Sequence, residues 1–327
     1  MIGLTISDEQ QDLVSTVARA AAAEFPRTEL VQACVAGSIA PLDEKKWRTL
    51  AELGLFGLGI PEAAGGVGLG LADEVLAVVE LGRVPARGPW VGTMLAARLA
   101  AQAGETELAA AFMSGEARAG LINGDYVVDA GPGDYALKVT AEGGELVRVT
   151  AAKEVPGSDE ATLVSRVEET EPVLAVADTR LQTRLRILIG AYLIGVAEAA
   201  TDMSAEYAKV RHQFGKAIGS FQAVKHRCAE MVVRAYSART ELYVASLLLT
   251  LDGDQSGLLE GTAAYLLALQ AAQRNAEDNV QNHGGIGVTA EHDAGVLVKR
   301  ALTYRNLGGS EIDLVPILLT APRTPFE

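Results

Sequence analysis

The stretch that most restricts how this chain can fold begins at Leu181. Apolar side chains recur there at Leu185, Leu188, Ile189, Tyr192, Leu193, Val196, Ala199, Ala200, Met203 and Tyr207. Spacing by three and four places them on one side of a helix. A stripe that long needs other helices to cover it, and the chain supplies them. Val224, Cys228, Met231, Val232, Ala235, Leu242 and Leu249 mark a second long helix, ended at Asp252-Gly253-Asp254. A third spans Leu259 to Val280, and a shorter one lies around Val296–Tyr304. Four helices with short links predict an antiparallel bundle over residues 181–327.

Residues 1–118 also read as helical. Ser7 and Gln10 have capping-box spacing, and the helix they open is closed by Pro26. Another helix carries Trp47, Leu50 and Leu53 and stops at Gly54, and Ala-rich helices follow over Leu71–Leu81 and Thr93–Ala101. Between them and the bundle, residues 119–180 change character. Short alternating runs such as Tyr135–Thr140 and Leu146–Ala151 are separated by Gly, Pro and Asp, which predicts a small β unit. The expected architecture is therefore mainly α with a small β domain between two helical ones.

Composition narrows the function. The 327 residues are 49% hydrophobic and 21% charged, and net charge is −14. This is a globular composition, and the acidic balance argues against nucleic acid or an anionic membrane as the main partner. No uncharged apolar run reaches membrane-spanning length, and Met1–Gln10 has no signal-peptide layout, so a cytoplasmic location is expected. Cys34 and Cys228, like His212, His226, His283 and His292, lack metal-site spacing. No nucleophile-elbow motif is present.

Two segments carry chemistry. Arg211-His212-Gln213-Phe214-Gly215-Lys216-Ala217-Ile218-Gly219-Ser220-Phe221-Gln222 joins the first two bundle helices. A guanidinium there can pair two pyrophosphate oxygens at once. Gln213 offers hydrogen bonds, and Phe214 and Phe221 offer flat apolar surface. Gln281-Asn282-His283-Gly284-Gly285-Ile286-Gly287-Val288 ends the third helix. Its glycines let a backbone approach a ligand and expose its amides. By spacing alone the plainer readings are favoured, a helix–loop–helix joint and a glycine C-cap.

Together the two segments resemble the C-terminal domain of the acyl-CoA dehydrogenase family. The resemblance implies that Arg211, Gln213, Phe214 and Phe221 contact FAD held mainly by a neighbouring subunit, and that Gln281, Gly284 and Gly285 reach the same cofactor. It also covers the N-terminal region, where Pro61-Glu62-Ala63-Ala64-Gly65-Gly66-Val67-Gly68-Leu69-Gly70 is similar to an architectural family loop. That loop lacks the spacing of a dinucleotide fingerprint.

The family reaction is α,β-dehydrogenation of an acyl-CoA, with a carboxylate removing the α-proton while flavin takes a hydride. The α-proton is weakly acidic, so its base must be in contact and tuned by burial. Here the family's base positions fall on Gly308 or Leu307 and, for a second class, on Leu185. None is acidic, so no catalytic residue is assigned. Glu311 is a shifted alternative that matches a non-catalytic family residue better. The β unit is about half the family's length, lacks the Thr-Glu-Pro signature, and retains only Pro156-Gly157-Ser158-Asp159, which reads as a turn. The chain thus resembles the shortened, base-less subunit of actinobacterial α2β2 acyl-CoA dehydrogenases, several of which act on CoA thioesters of steroid side chains. That implies FAD shared with a full-length partner, and acyl-CoA bound mainly on the partner. Two other readings are a non-redox scaffold or regulatory subunit, against which the intact Arg211–Gln222 motif argues, and a self-sufficient non-redox enzyme.

Overall fold

The computed structural model describes residues 5–36, 42–84, 87–157, 159, 162–251 and 257–320. The Asp252-Gly253-Asp254 breaker and Ser158 lie outside the described residues, as does the side chain of Cys34.

Helix α1 (Asp8–Glu24) opens with the expected capping box: Gln10 N–H donates to Ser7 Oγ at 3.2 Å, and Ser7 N–H to Gln10 Oε1 at 3.1 Å. A helix the sequence reading did not foresee, α2 (Arg27–Ala36), starts directly after Pro26. Asp43 caps α3 (Glu44–Glu52), and α4 (Leu71–Arg83), α5 (Trp90–Ala103) and α6 (Thr106–Met113) follow. Trp47 anchors this region. Its ring centroid lies 4.5 Å from Phe56 and 4.6 Å from Trp90, while its indole N–H donates to Gly115 O. Buried aromatics of this size dominate the local burial energy.

Five strands form a closed barrel in the order β1-β2-β5-β4-β3: β1 (Ala119–Asn123), β2 (Tyr126–Val128), β3 (Tyr135–Val139), β4 (Gly143–Glu154) and β5 (Val164–Ala177). Parallel pairing of β1 with β3 shuts it, with Ala119 opposite Tyr135. Val127, Ala130, Ala136 and Val149 fill a small core of their own. Within β5, β2 pairs with Val164–Arg166 alone, so beyond Val167 that strand has β4 as its neighbour, with irregular register at Val149–Ala152.

The bundle comprises α7 (Leu181–Val210), α8 (Gln222–Leu249), α9 (Leu258–His283), α10 (Ala294–Tyr304) and α11 (Glu311–Thr320). α7 is its axis. By length and composition it alone among the described helices would pass for a membrane span, but 83% of its most apolar window is buried inside the protein. A helix apolar all round is what a central core position demands. Its tightest contact is with α4. A Cβ on Gly82 would lie 2.0 Å from Tyr192 O, and one on Gly195 2.1 Å from Val79 O. The two backbones touch where those glycines cross.

Candidate functional site

Arg211 ends α7 in extended conformation, and Ile218 N–H donates to its carbonyl at 2.8 Å. Between these two residues the chain makes a hairpin of β6 (His212–Gln213) and β7 (Lys216–Ala217). Its two turn residues, Phe214 and Gly215, both have positive φ, 51° and 78°. That is the type I′ pattern, whose twist suits a two-residue hairpin. Glycine takes the conformation freely. For phenylalanine it is uncommon and strained, yet the ring is 90% exposed. It meets Phe221 edge-on at 6.0 Å, and Lys216 Nζ stands 4.4 Å from the Phe221 ring centroid. The Arg211 side chain is exposed and makes no ion pair or hydrogen bond with a described residue.

The second segment lies at the same end of the bundle. Tyr207, one turn before Arg211, stacks on His283 with ring centroids 4.2 Å apart. Burial lowers the His283 pKa, favouring the neutral ring, and its Nδ1 is 2.8 Å from Asn279 O. Gln281 is exposed, and a Cβ added at Gly284, Gly285 or Gly215 would meet nothing within 4 Å. The structure therefore gathers two open glycine backbones, an uncommitted guanidinium and an exposed aromatic edge. That donor set suits a diphosphate with an attached planar group.

The positions where the family keeps a base are closed. Leu307 and Leu185 are buried, and a Cβ on Gly308 would lie 2.8 Å from the Tyr265 ring. The Gly308 backbone is pinned as well: its N–H donates to Tyr265 Oη at 3.1 Å, and its carbonyl accepts from Arg186 Nε at 3.0 Å. Beside Leu307, bounded by Trp90, Val91, Leu121, Asp129, Tyr192 and Tyr304, the free volume is about 10 Å³, no more than a single water requires. Neither an acyl chain nor a flavin ring fits there. Glu311 is exposed at the start of α11, 3.6 Å from Arg305.

What occupies this region is a buried polar cluster that sequence reasoning missed. Arg300, fully buried on α10, places Nε 3.1 Å from Asp159 Oδ2 and donates Nη1 to Thr162 Oγ1 at 3.0 Å. Thr162 in turn donates to Asp159 at 2.8 Å. Tyr304 donates to Asp129 Oδ2 at 3.3 Å and stacks on Tyr192 at 4.6 Å. Asp159 belongs to the segment read as a turn. It is instead the counter-ion that makes a buried arginine tolerable.

Burial pushes the Asp129 carboxyl up to about 6, against partial relief from Arg300. A carboxyl that holds its proton more tightly when folded stabilises fully below its ordinary range, and this contribution is lost as pH rises through the folded value. Stability from Asp129 is therefore expected to fall between about pH 4 and pH 6, by on the order of 3 kcal/mol. Asp129→Asn, which keeps the left-handed backbone accessible, is expected to remove that slope. Urea midpoints of the two proteins across pH 4–8 provide the check, and parallel curves would refute the expectation.

Comparison with known proteins agrees with this architecture. Residues 7–119 match the family described as "Acyl-CoA dehydrogenase, N-terminal domain", and residues 174–314 match "Acyl-CoA dehydrogenase, C-terminal domain". Acyl-CoA dehydrogenase IpdE2 of Mycobacterium tuberculosis is 38% identical over 310 residues, covering 91% of this chain and 92% of that protein. Two solved structures share the fold with TM-scores of 0.82. The ChsE4–ChsE5 complex of M. tuberculosis is 24% identical over 98% of this chain and 100% of the other. The Tcur3481–Tcur3483 steroid ACAD is 23% identical over 96% and 97%. Two helical domains flanking a small, largely antiparallel sheet, with both motif segments at one end of the bundle, define an oxidoreductase scaffold of the acyl-CoA dehydrogenase type. The chain belongs to the acyl-CoA dehydrogenase family.

Proposed function

We propose that this chain is the base-less subunit of a heteromeric, FAD-dependent acyl-CoA dehydrogenase, which completes the FAD site of a full-length partner. One contrast carries the reading: the base position is walled off by Leu307, Gly308 and Tyr265, while the Arg211 and Gly284 segments stand open. FAD, when bound, supplies the hydride acceptor for α,β-dehydrogenation. Arg211 grips its pyrophosphate, Gln213 and Gln281 offer hydrogen bonds, Phe214 and Phe221 give it an apolar face, and Gly284-Gly285 brings amides close. The base and the acyl pocket come from the partner. Its substrate is proposed to be a CoA thioester, with a steroid side chain favoured by the steroid ACAD among the structural neighbours.

The assembly proposed has two copies of each chain, and exposed apolar side chains support a partner interface on the bundle. Val233 and Tyr236 on α8 are 63% and 71% exposed, and Val288 beside the glycine turn is 74% exposed. Exposed apolar side chains on α8 and beside the glycine turn are what a partner would cover.

Purified alone, the chain is expected to be colourless and inactive. Co-expressed with a full-length family member, it is expected to co-purify in a yellow complex. A yellow, active homo-oligomer of this chain alone would sink the proposal. Within the complex, Arg211→Ala is expected to weaken FAD by about 1.5–3 kcal/mol, roughly 10- to 150-fold. Arg211→Lys should recover only part, since the two-pronged geometry is lost. Flavin titration of the apo-complex reads this directly, and unchanged affinity in the alanine variant would favour a scaffold without a flavin role.

A further inference from the structure

A second cavity, of about 270 Å³, lies where the three regions of the chain meet. It adjoins Leu249-Thr250 at the far end of α8 from the Arg211 segment, a helix length of about 40 Å away at 1.5 Å per residue. Arg98 from α5, Arg180 and Arg184 line it, together with Gly59 and Asp178.

Three guanidiniums in one recess of a chain with net charge −14 call for an explanation. Arg180 is committed, donating to Leu249 O and Leu251 O at 3.0 Å each. Arg184 pairs with Glu74. Among the described residues Arg98 has one long hydrogen bond, Nη1 to Gly59 O at 3.3 Å. The Nε atoms of both Arg98 and Arg184 are buried and meet no acceptor among the described residues. Burial, and then the Arg184 charge, lower the Arg98 pKa, so its cation is disfavoured where it stands. Glu74 and Asp178 offset two of the three positive charges, leaving one over. Gly59 keeps the recess this tight: a Cβ there would lie 2.4 Å from Glu74 Oε1 and 2.8 Å from Arg184 Nη2. Uncompensated like charge lining a cavity large enough for a small ion is what a bound anion offsets.

We propose that this cavity binds a small tetrahedral oxyanion, of the phosphate or sulfate class, at a site separate from the flavin motif. The anion accepts from Arg98 and Arg184 and ties α5 to the start of α7.

The test is thermal unfolding of the full-length chain in inorganic phosphate, with potassium chloride of equal ionic strength as reference. Phosphate at tenfold its dissociation constant is expected to raise the midpoint by about 2 °C, and sulfate should act alike. Arg98→Met is expected to lose this increment while its anion-free midpoint rises, because a disfavoured buried cation has gone. A purely structural arginine would give the opposite sign in anion-free buffer. Should the methionine variant fail to fold, Arg98→Gln is read for the same loss of the phosphate increment. A wild-type midpoint no higher in phosphate than in chloride overturns the site. So does a phosphate increment that survives in the Arg98 variant.

Discussion

Replacing Arg300 by methionine is expected to destabilise the fold by about 3–5 kcal/mol, the usual cost of removing one member of a buried ion pair. Asp159 would be left buried without its cation, and Thr162 would lose a donor. The cost lies mainly in the stranded carboxylate, not in the missing attraction. Arg300→Met combined with Asp159→Leu should therefore be clearly less damaging than Arg300→Met alone, since the two residues are in contact and their effects do not add. Urea unfolding of both single variants and the double variant measures the coupling. Wild-type stability in Arg300→Met would mean that Arg300 and Asp159 are not the buried, mutually dependent ion pair described above.

Gly195→Val should be comparably severe, at about 3 kcal/mol or more. The first added carbon would lie 2.1 Å from Val79 O and 2.7 Å from Arg83 N. Both are backbone atoms of α4, so relief requires moving a helix and not merely turning a side chain. Gly285→Ala is the control. A Cβ there meets nothing within 4 Å, and the change should leave stability within about 0.5 kcal/mol. If the two variants unfolded at the same denaturant concentration, the α4–α7 crossing would not be the close contact it is taken to be.

Local physics was legible in the sequence and distant pairing was not. The α7, α8 and α9 helices follow from spacing by three and four, and Ser7 with Gln10 announced the start of α1. α2 was missed because its apolar residues define no clear face, so periodicity had nothing to detect. The Phe214-Gly215 turn carried no hairpin signal, since aromatic residues rarely adopt positive φ. The motif residues were found by resemblance, and the structure brings Arg211 and Gly284 to one end of the bundle through Tyr207 and His283. Asp159 was read as part of a turn because its composition is that of a turn. Its partner Arg300 lies on α10, far along the chain, and no spacing rule connects them. The oxyanion recess shares that origin, with residues drawn from elements distant in sequence.

The partial cover of β5 bears on how the chain avoids unwanted self-association. Past Val167 no strand among the described residues pairs with the second edge of β5, and a row of amides and carbonyls unpaired by a strand invites another chain to add on. This stretch is armed against that. Glu168, Glu169 and Glu171 are exposed along it, Pro172 removes a donor, and the irregular register opposite breaks its flatness. Copies stacked edge to edge would set like charges against each other, an arrangement that costs energy. The sheet edge is thereby unsuited to pairing between copies, and the chain is protected from seeding fibres through it.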